Sequence, residues 1–311
     1  MPSILTHYIF NQSLNSSTSL EANIGSQGPD PLFFYFCGLK KYPNTKLICE
    51  YGNVLHKMNP TSTLICFYNY ALKQNSDDKN ILLNYLKGFI SHYSLDSTAH
   101  PYIFYKSGFS LTDDKKEVKK YFLDHVQLES NIDVLIRNYF QYKISPAKTL
   151  KIKNDDLKII SKMYYSYFRD KFNENNFYED TFFIALKRMR FTFKVVYSKY
   201  QIKKTLFNLF FKNHEINKFS YQTLKKCQNQ DYLNLKHEIY FDATTNEQIG
   251  NYSFIDLFEI SSNKYKEITK ILFSNLDDDN KAKELNKFIN DINFDGFKIG
   301  VKKLYFSSFF K

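Results

Sequence analysis

Two stretches of this sequence place histidines and carboxylates four residues apart. The stretch HYSLDSTAHPY holds His92, Asp96 and His100, and the stretch HVQLE holds His125 and Glu129. Residues four apart lie about one turn apart on the same helix face, so each pair can direct its side chains at one point. Zinc accepts imidazole nitrogen and carboxylate oxygen, and catalytic zinc sites keep a position for water. The spacing therefore indicates metal ligands, with a polar edge on a buried helix as the alternative.

The first stretch contains two successive steps of four residues. Each step exceeds one helical turn by about 40°, so the three side chains point in successively different directions and need not face one ion. We therefore predict that the stretch serves two neighbouring ions, with His92 and Asp96 on one and His100 on the other. The chain has seven histidines, and His7 and His56 are the remaining ones in its N-terminal half.

Amphipathic helices are predicted to carry both stretches. The first stretch lies in a helix that begins at Asp77 or Asp78, which can cap it, and ends at Pro101, because proline cannot donate a backbone hydrogen bond. The second stretch lies in a helix capped by Asp113 or Asp114. Beyond about residue 150 the apolar spacing stays helical, and turn residues interrupt it in IYFDATTNEQIGNYS. The aromatic run LFFYFCGL is either a buried strand or a helical turn.

The organisation of the chain follows from the same pattern. We find no internal repeat and no Pro/Gly/Ser-rich linker, which favours a single helical domain over residues 1–311. The candidate ligands fall within residues 1–135, and residues 150–311 form a helical C-terminal half. The expected fold class is all-α.

The composition limits the partners of the protein. The formal charge of +11 could attract nucleic acid or anionic lipid, but the basic residues do not form one stripe, and we expect no nucleic acid partner. The basic stretch LKRMRFTFKVVYSKYQIKK (186–204) is compatible with peripheral membrane contact, and a solvated helix face is the alternative. No run of 18 apolar residues and no signal peptide are present, so we expect a cytoplasmic location.

An ordered set of motifs adds a resemblance to these observations. THYIF, GSQGPDPLFFY, LHK, HYSLDSTAHPYI and HVQLESNID, in this order, resemble the bacterial zinc-dependent phospholipase C family, and the chain looks most like its unsecreted branch. The motifs cover about residues 1–135. A weaker similarity in LKHEIYFDATTNEQIGNYSFIDLFE extends toward the C-terminus.

The resemblance implies a multi-helix bundle that holds a cluster of zinc ions. Carried over position by position, the first ion would take His56, His92 and Asp96 with Asp30 beside it, the second His100, His125 and Glu129, and the third His7 and a shared Asp96. In the secreted members, a free N-terminal amine and a leading tryptophan complete the third site. This chain has no tryptophan, and an amine at Pro2 after removal of Met1 would be the remaining candidate, so we expect two or three zinc ions.

The implied activity is hydrolysis of a phosphodiester in a phospholipid or a similar substrate by metal-activated water. Asp30 resembles the carboxylate that orients or deprotonates that water. The aromatics Phe33, Phe34 and Tyr35 could face a choline-like cation or pack in the core. One alternative is a zinc nuclease or phosphatase that acts on nucleotides. The other is a non-enzymatic member in which the metal cluster is structural or supports a binding scaffold.

Overall fold

Helices make up most of the protein. A computed structural model describes residues 4–14, 18–37, 42–111, 114–197 and 221–300. The helices are α1 (Ile4–Leu14), α2 (Leu20–Gly25), a 3-10 helix (Asp30–Phe34), α3 (Thr45–Lys57), α4 (Pro60–Leu72), α5 (Ser76–Ser107), α6 (Lys115–Tyr139), α7 (Pro146–Thr149), α8 (Asn154–Phe172), α9 (Thr181–Val196), α10 (Leu224–Cys227), α11 (Phe254–Leu272) and α12 (Asp278–Ile289). The predicted all-α class is confirmed.

Helix α5 lies at the centre and packs on α1, α2, α4, α6, α8 and α11. Most of its length after Leu82 is buried, including polar side chains such as Ser91, Ser94 and Asp96. Its contact with α2 is especially close, because a Cβ atom at Gly88 would lie 2.1 Å from the backbone oxygen of Ala22. This close packing brings the chain that follows α2 against the segment of α5 that carries the candidate ligands.

The ends of α5 differ from those predicted. The cap is Asn75, whose side chain accepts hydrogen bonds from the backbone N–H groups of Asp77 and Asp78 at 3.1 and 3.0 Å. The helix does not end at Pro101 but continues to Ser107. A proline inside a helix costs about 3 kcal/mol. Burial of Pro101 and of the following turn, including Tyr102, offsets this cost, so tertiary packing overrides the local signal.

Helix α6 is capped by Asp114, one of the two residues predicted to cap it. The side chain of Asp114 accepts hydrogen bonds from the backbone N–H groups of Lys116 and Glu117, both at 2.9 Å. Asp113 lies outside the described residues.

Aromatic residues from both halves of the chain share one core. Tyr164 of α8 stacks on Phe182 of α9 at 4.1 Å between ring centroids, and its hydroxyl lies 2.7 Å from that of Tyr85 of α5. Buried aromatics contribute large apolar areas and stabilising ring contacts.

The organisation of residues 1–311 as a single domain stays a prediction.

Two ambiguous stretches have distinct structures. The described part of LFFYFCGL continues the 3-10 helix of Asp30–Phe34 into a turn, so it is not a strand. In the stretch predicted as turn residues, β1 (Tyr240–Phe241) pairs with β2 (Gln248–Gly250) in an antiparallel hairpin. The side chain of Asp242 shapes the connecting turn by accepting from the N–H groups of Thr244 and Thr245.

The part of the chain that the structure describes contains no helix that is long and apolar enough to cross a membrane. The basic stretch 186–204 begins within α9, which ends at Val196. Residues 198–204 lie outside the described residues, so membrane contact by this stretch stays a prediction.

Candidate metal centre

The eight side chains predicted as metal ligands or as lying beside the metal meet at one place in the fold. They are His7 on α1, Asp30 at the start of the 3-10 helix, His56 on α3, His92, Asp96 and His100 on α5, and His125 and Glu129 on α6. All are buried except His125, which is half-buried. Buried titratable groups persist in a fold when they are paired or bind metal ions.

The ligand atoms form three groups, and within each group they lie within 4.8 Å of one another. We name them the His7 group (His7, His92, Asp96), the Asp30 group (Asp30, His56, His92) and the Glu129 group (His100, His125, Glu129). His92 belongs to two of them. Each group offers imidazole nitrogen and carboxylate oxygen, the donor set that zinc accepts.

Short distances join the atoms of the first two groups. In the His7 group, Nε2 of His7 lies 3.0 Å from Oδ1 of Asp96, and Nε2 of His92 lies 3.1 Å from Oδ2 of the same carboxylate. In the Asp30 group, Nε2 of His56 lies 3.1 Å from Oδ1 of Asp30. The carboxylates therefore join histidines that come from different helices.

The Glu129 group joins α5 to α6. Oε1 of Glu129 lies 3.6 Å from Nε2 of His100 and 3.3 Å from Nε2 of His125. The two imidazole rings stack with their centroids 5.6 Å apart. Asp96 links the His7 group to the Glu129 group, because its Oδ1 lies 3.7 Å from Nδ1 of His100.

The three groups only partly follow the predicted assignment. His92 and His100 fall in different groups, as we expected from the rotation around α5. However, Asp30 rather than Asp96 completes the group with His56, and His92 joins the group of His7 and Asp96. Pro2, considered for its amine, lies outside the described residues. That these side chains bind metal stays a prediction.

Backbone carbonyl groups orient three of the imidazoles. Nδ1 of His56 lies 2.7 Å from a carbonyl oxygen one turn earlier in α3. Nδ1 of His92 lies 3.1 Å from the carbonyl of Ser26, and Nδ1 of His100 lies 3.0 Å from that of Phe294. A carbonyl oxygen only accepts, so Nδ1 carries a proton, and in the neutral imidazole Nε2 is the nitrogen available to bind a metal ion. Metal-binding histidines in proteins are commonly oriented in this way.

Three buried atoms of the candidate ligand side chains have no hydrogen-bond partner. These are Nδ1 of His7, Oδ1 of Asp30 and Nε2 of His92. Oδ1 of Asp30 is close to His56, and Nε2 of His92 is close to Asp96, but neither pair is aligned as a hydrogen bond. A buried polar atom without a partner is costly, and a bound ion would remove this cost by coordinating the atom. The residues present therefore fit a divalent cation.

The charge states of these side chains follow from their mutual contacts. Burial alone would raise the pKa of Asp96, but His92, His100 and His7 hold it well below its ordinary value. Neighbouring imidazoles likewise outweigh burial and lower the pKa of Glu129. Burial lowers the pKa of His92, which is therefore neutral at pH 7. At His100, the two carboxylates outweigh burial and raise the pKa to about 9.

A glycine allows the chain before Asp30 to reach His92. Gly28 has φ +51°, a conformation that side chains other than glycine rarely adopt. A Cβ atom there would lie 2.1 Å from the His92 ring. The sequence GPD therefore has a structural role, because it places the Asp30 carboxylate beside the imidazole.

Two residues that support the centre are not evident from the sequence motifs. Asp133 is fully buried and accepts hydrogen bonds from the first turn of α1, the helix that carries His7. Its position four residues after Glu129, on the same face of α6, is the one signal that could have revealed it. Phe294 packs on His56 and His92 with ring centroids at 5.3 and 5.7 Å. No local pattern links it to residues some 200 positions earlier.

A cleft of about 1020 Å³ leads to the candidate ligands His56, Asp96, His100 and His125. Phe33 and Phe34 line it, but Tyr35 does not, because it is buried against Tyr42 and Arg188. The cleft has the size of a small-molecule site, and its lining is mostly apolar with a few polar groups.

Comparison with known proteins gives one match. A family model described as zinc dependent phospholipase C matches residues 4–182, which is more than half of the 311 residues and includes all eight candidate side chains. Searches of curated proteins and of solved structures found no significant match.

Proposed function

Because the chain belongs to the zinc-dependent phospholipase C family, we propose that it is a zinc-dependent hydrolase that cleaves a phosphodiester bond of a phospholipid-like substrate. The observation that carries the proposal is the convergence of three His/carboxylate groups at a cleft of about 1020 Å³. The unpaired atoms Oδ1 of Asp30 and Nε2 of His92 support a cation at this place.

The chain supplies ligands for two or three zinc ions. The His7, Asp30 and Glu129 groups would hold them, with His92 and Asp96 at the junctions between groups. Zinc at such a site neutralises phosphate charge and makes water acidic enough to act as a nucleophile near neutral pH. Proximity of the three groups would let one phosphate contact more than one of them.

Asp30 is the proposed catalytic residue. Burial raises the pKa of a carboxyl group, but the neighbouring imidazoles of His56 and His92 outweigh it and lower the pKa of Asp30. The carboxylate is therefore ionised at pH 7. We propose that the carboxylate of Asp30 orients the attacking water and accepts its proton.

The test combines metal analysis with parallel substrate assays. Zinc per chain is measured on the purified protein, and hydrolysis is measured on phospholipids, nucleotides and short single-stranded DNA. We expect two or three tightly bound zinc ions and release of a phosphorylated headgroup. The variant Asp30→Asn should lose at least about a hundredfold in turnover, the usual contribution of a general base, while zinc content stays near normal. The exposed Asp155→Asn variant serves as a matched control.

Other outcomes of these assays identify the alternatives. Hydrolysis of nucleotides or DNA without hydrolysis of lipids would support a zinc nuclease or phosphatase. Bound zinc without hydrolysis of any substrate would support a structural metal cluster. Unchanged turnover in Asp30→Asn would refute its role as the base. A cytoplasmic location and peripheral membrane contact remain predictions of the sequence.

A further inference from the structure

The cleft over the candidate metal centre has two chemically different walls. One wall is a face of α3 that leads to His56 and consists of Thr45, Lys46, Cys49, Asn53 and Lys57. These positions recur at helical spacing, so their side chains share one side of α3. This α3 wall therefore adjoins the Asp30 group and offers mainly polar and basic groups.

The other wall is apolar and adjoins the Glu129 group. It consists of Phe104 near the end of α5, Phe109 just after that helix, and Val118, Tyr121 and Phe122 on the first turns of α6. The ring of Phe104 lies 5.8 Å from that of His100 and 5.2 Å from that of His125. A phosphodiester held across both groups would therefore have one substituent on the α3 wall and the other on this α6 wall.

The α3 wall has a positive charge. Apart from the candidate ligands, the charged residues lining the cleft are Lys46, Lys57 and Asp295. Asp295 adjoins Phe294, whose carbonyl oxygen contacts His100, so this carboxylate belongs to the side of the Glu129 group. Within the described ranges, neither lysine has an ion-pair partner.

Asn53 and Phe33, which also line the cleft on the α3 side, already have partners. Nδ2 of Asn53 donates to Oε2 of Glu50 at 3.3 Å, and Glu50 does not line the cleft. The Phe33 ring lies 5.3 Å from that of His56 and packs against Gly52, so one face of this ring is already covered. Phe34 and Phe36 also line the cleft, so the charges of Lys46 and Lys57, and not a lack of aromatic rings, disfavour a quaternary ammonium group on this side.

We propose that the substrate lies with its headgroup along the α3 wall and its acyl portion along the α6 wall, and that this headgroup carries hydroxyl or anionic groups instead of a quaternary ammonium. Lysine ammonium groups donate hydrogen bonds to hydroxyl and anionic oxygens and repel a trimethylammonium group. The inference rests on the proposed phosphodiester hydrolysis and specifies its substrate class.

The headgroup is tested with two short-chain lipids that differ only there. The zinc-loaded protein is assayed for kcat/KM on dihexanoyl phosphatidylglycerol and dihexanoyl phosphatidylcholine, both as dissolved monomers. We expect the glycerol lipid to be the better substrate. The double variant Lys46→Gln/Lys57→Gln should lower its kcat/KM roughly 2- to 20-fold, the effect of two exposed charge contacts, and leave the choline lipid unchanged or improved.

The control is Lys266→Gln/Lys283→Gln, which removes two exposed lysines from α11 and α12 and should change neither rate. Equal or faster hydrolysis of the choline lipid by the unmodified protein would overturn the inference. An equal loss on both lipids in the double variant of the α3 wall would overturn it as well.

Binding of the headgroup products separates this inference from the proposed activity. Calorimetry of the zinc-loaded protein with glycerol 1-phosphate and with phosphocholine needs no turnover. Tighter binding of glycerol 1-phosphate that depends on Lys46 and Lys57 would support the headgroup inference, even if the protein hydrolyses no phosphodiester. The absence of hydrolysis would in that case refute only the proposed hydrolase activity. Tighter or equal binding of phosphocholine would refute the headgroup inference itself.

The α6 wall is tested with one exposed aromatic. Phe122→Ser should raise KM for dihexanoyl phosphatidylglycerol several-fold, because about 50 Å² or more of apolar contact is lost, and change kcat much less than KM. Phe191→Ser on α9, also exposed, is the matched control. A KM for the lipid that does not change in Phe122→Ser would contradict the proposed orientation.

Discussion

Replacement of Asp133 by asparagine should change how the stability of this protein depends on pH. Oδ1 of Asp133 accepts hydrogen bonds from the backbone N–H and the hydroxyl of Thr6, at 2.8 and 2.6 Å. Its Oδ2 accepts from the N–H of Leu5 at 3.1 Å and from the hydroxyl of Tyr221 at 2.7 Å. A carboxylate on α6 thus caps the first turn of α1, the helix that carries His7.

The magnitude follows from the environment of this carboxyl group. Burial is the largest influence and raises the pKa of Asp133 from 3.8 to about 7, despite the four hydrogen bonds. A carboxyl group with a raised folded-state pKa contributes stability that is fully present below its unfolded pKa. That stability is lost as the pH rises through the folded-state value. Integrated from pH 5 to pH 8, the loss for one such group is about 2–3 kcal/mol.

Asparagine keeps the shape of the side chain but does not titrate. Its amide nitrogen would face the N–H of Leu5, and one unpaired buried donor costs roughly 1–3 kcal/mol. We therefore expect the wild-type protein to be the more stable at pH 5. Between pH 5 and pH 8 this advantage should shrink by about 2–3 kcal/mol, because only the wild type loses stability through this group.

Urea unfolding of the metal-free proteins in chelator, at pH 5 and pH 8, measures this difference. The titration of the remaining groups cancels between the two proteins. Asp155→Asn, at an exposed aspartate of α8, is the control and should keep its difference from wild type constant with pH. A free-energy difference for Asp133→Asn that stays constant within about 0.5 kcal/mol from pH 5 to pH 8 would refute the reasoning.

Three further predictions concern the candidate ligands. Zinc affinity should fall as the pH drops from 9 to 6, because His100 has a pKa raised to about 9 and must release its proton to bind the ion. Competition with a chromogenic chelator measures this affinity, and an affinity that does not change with pH would contradict the prediction. Gly28→Ala should destabilise the protein by at least about 1 kcal/mol in thermal unfolding, through its positive φ and its contact with His92, and a gain in stability would show that the loop relaxes. Asp96→Asn should remove about one zinc ion per chain, since both carboxylate oxygens face histidines of the His7 group. The absorption spectrum of the cobalt-substituted variant should still show a metal ion in the Glu129 group. Full zinc content in this variant would contradict the grouping.

Local patterns in the sequence were sufficient for the ligand-bearing helices. The i,i+4 spacing of His125 and Glu129 and the cap at Asp114 depend on one helix alone, and the structure contains both. The separation of His92 from His100 likewise follows from the geometry of α5. The match of a family model over residues 4–182 agrees with the ordered motifs.

Tertiary packing decided the features that depend on distances between elements. The local rule for Pro101 failed because burial within the core outweighs the lost hydrogen bond. The position of Asp96 beside His7 depends on how α1 packs on α5, and the contact of Phe294 with His56 joins residues far apart in the chain.

The amino-acid sequence by itself determined the helical class, the types of the candidate ligands and their spacing along each helix, because these depend on interactions between residues a few positions apart. Only the tertiary structure decided which ligands share a group, that Asp133 caps the helix of His7, and that the cleft has a basic and an apolar wall. The physical reason is that contacts between helices depend on close packing of whole faces, which no short stretch of sequence encodes.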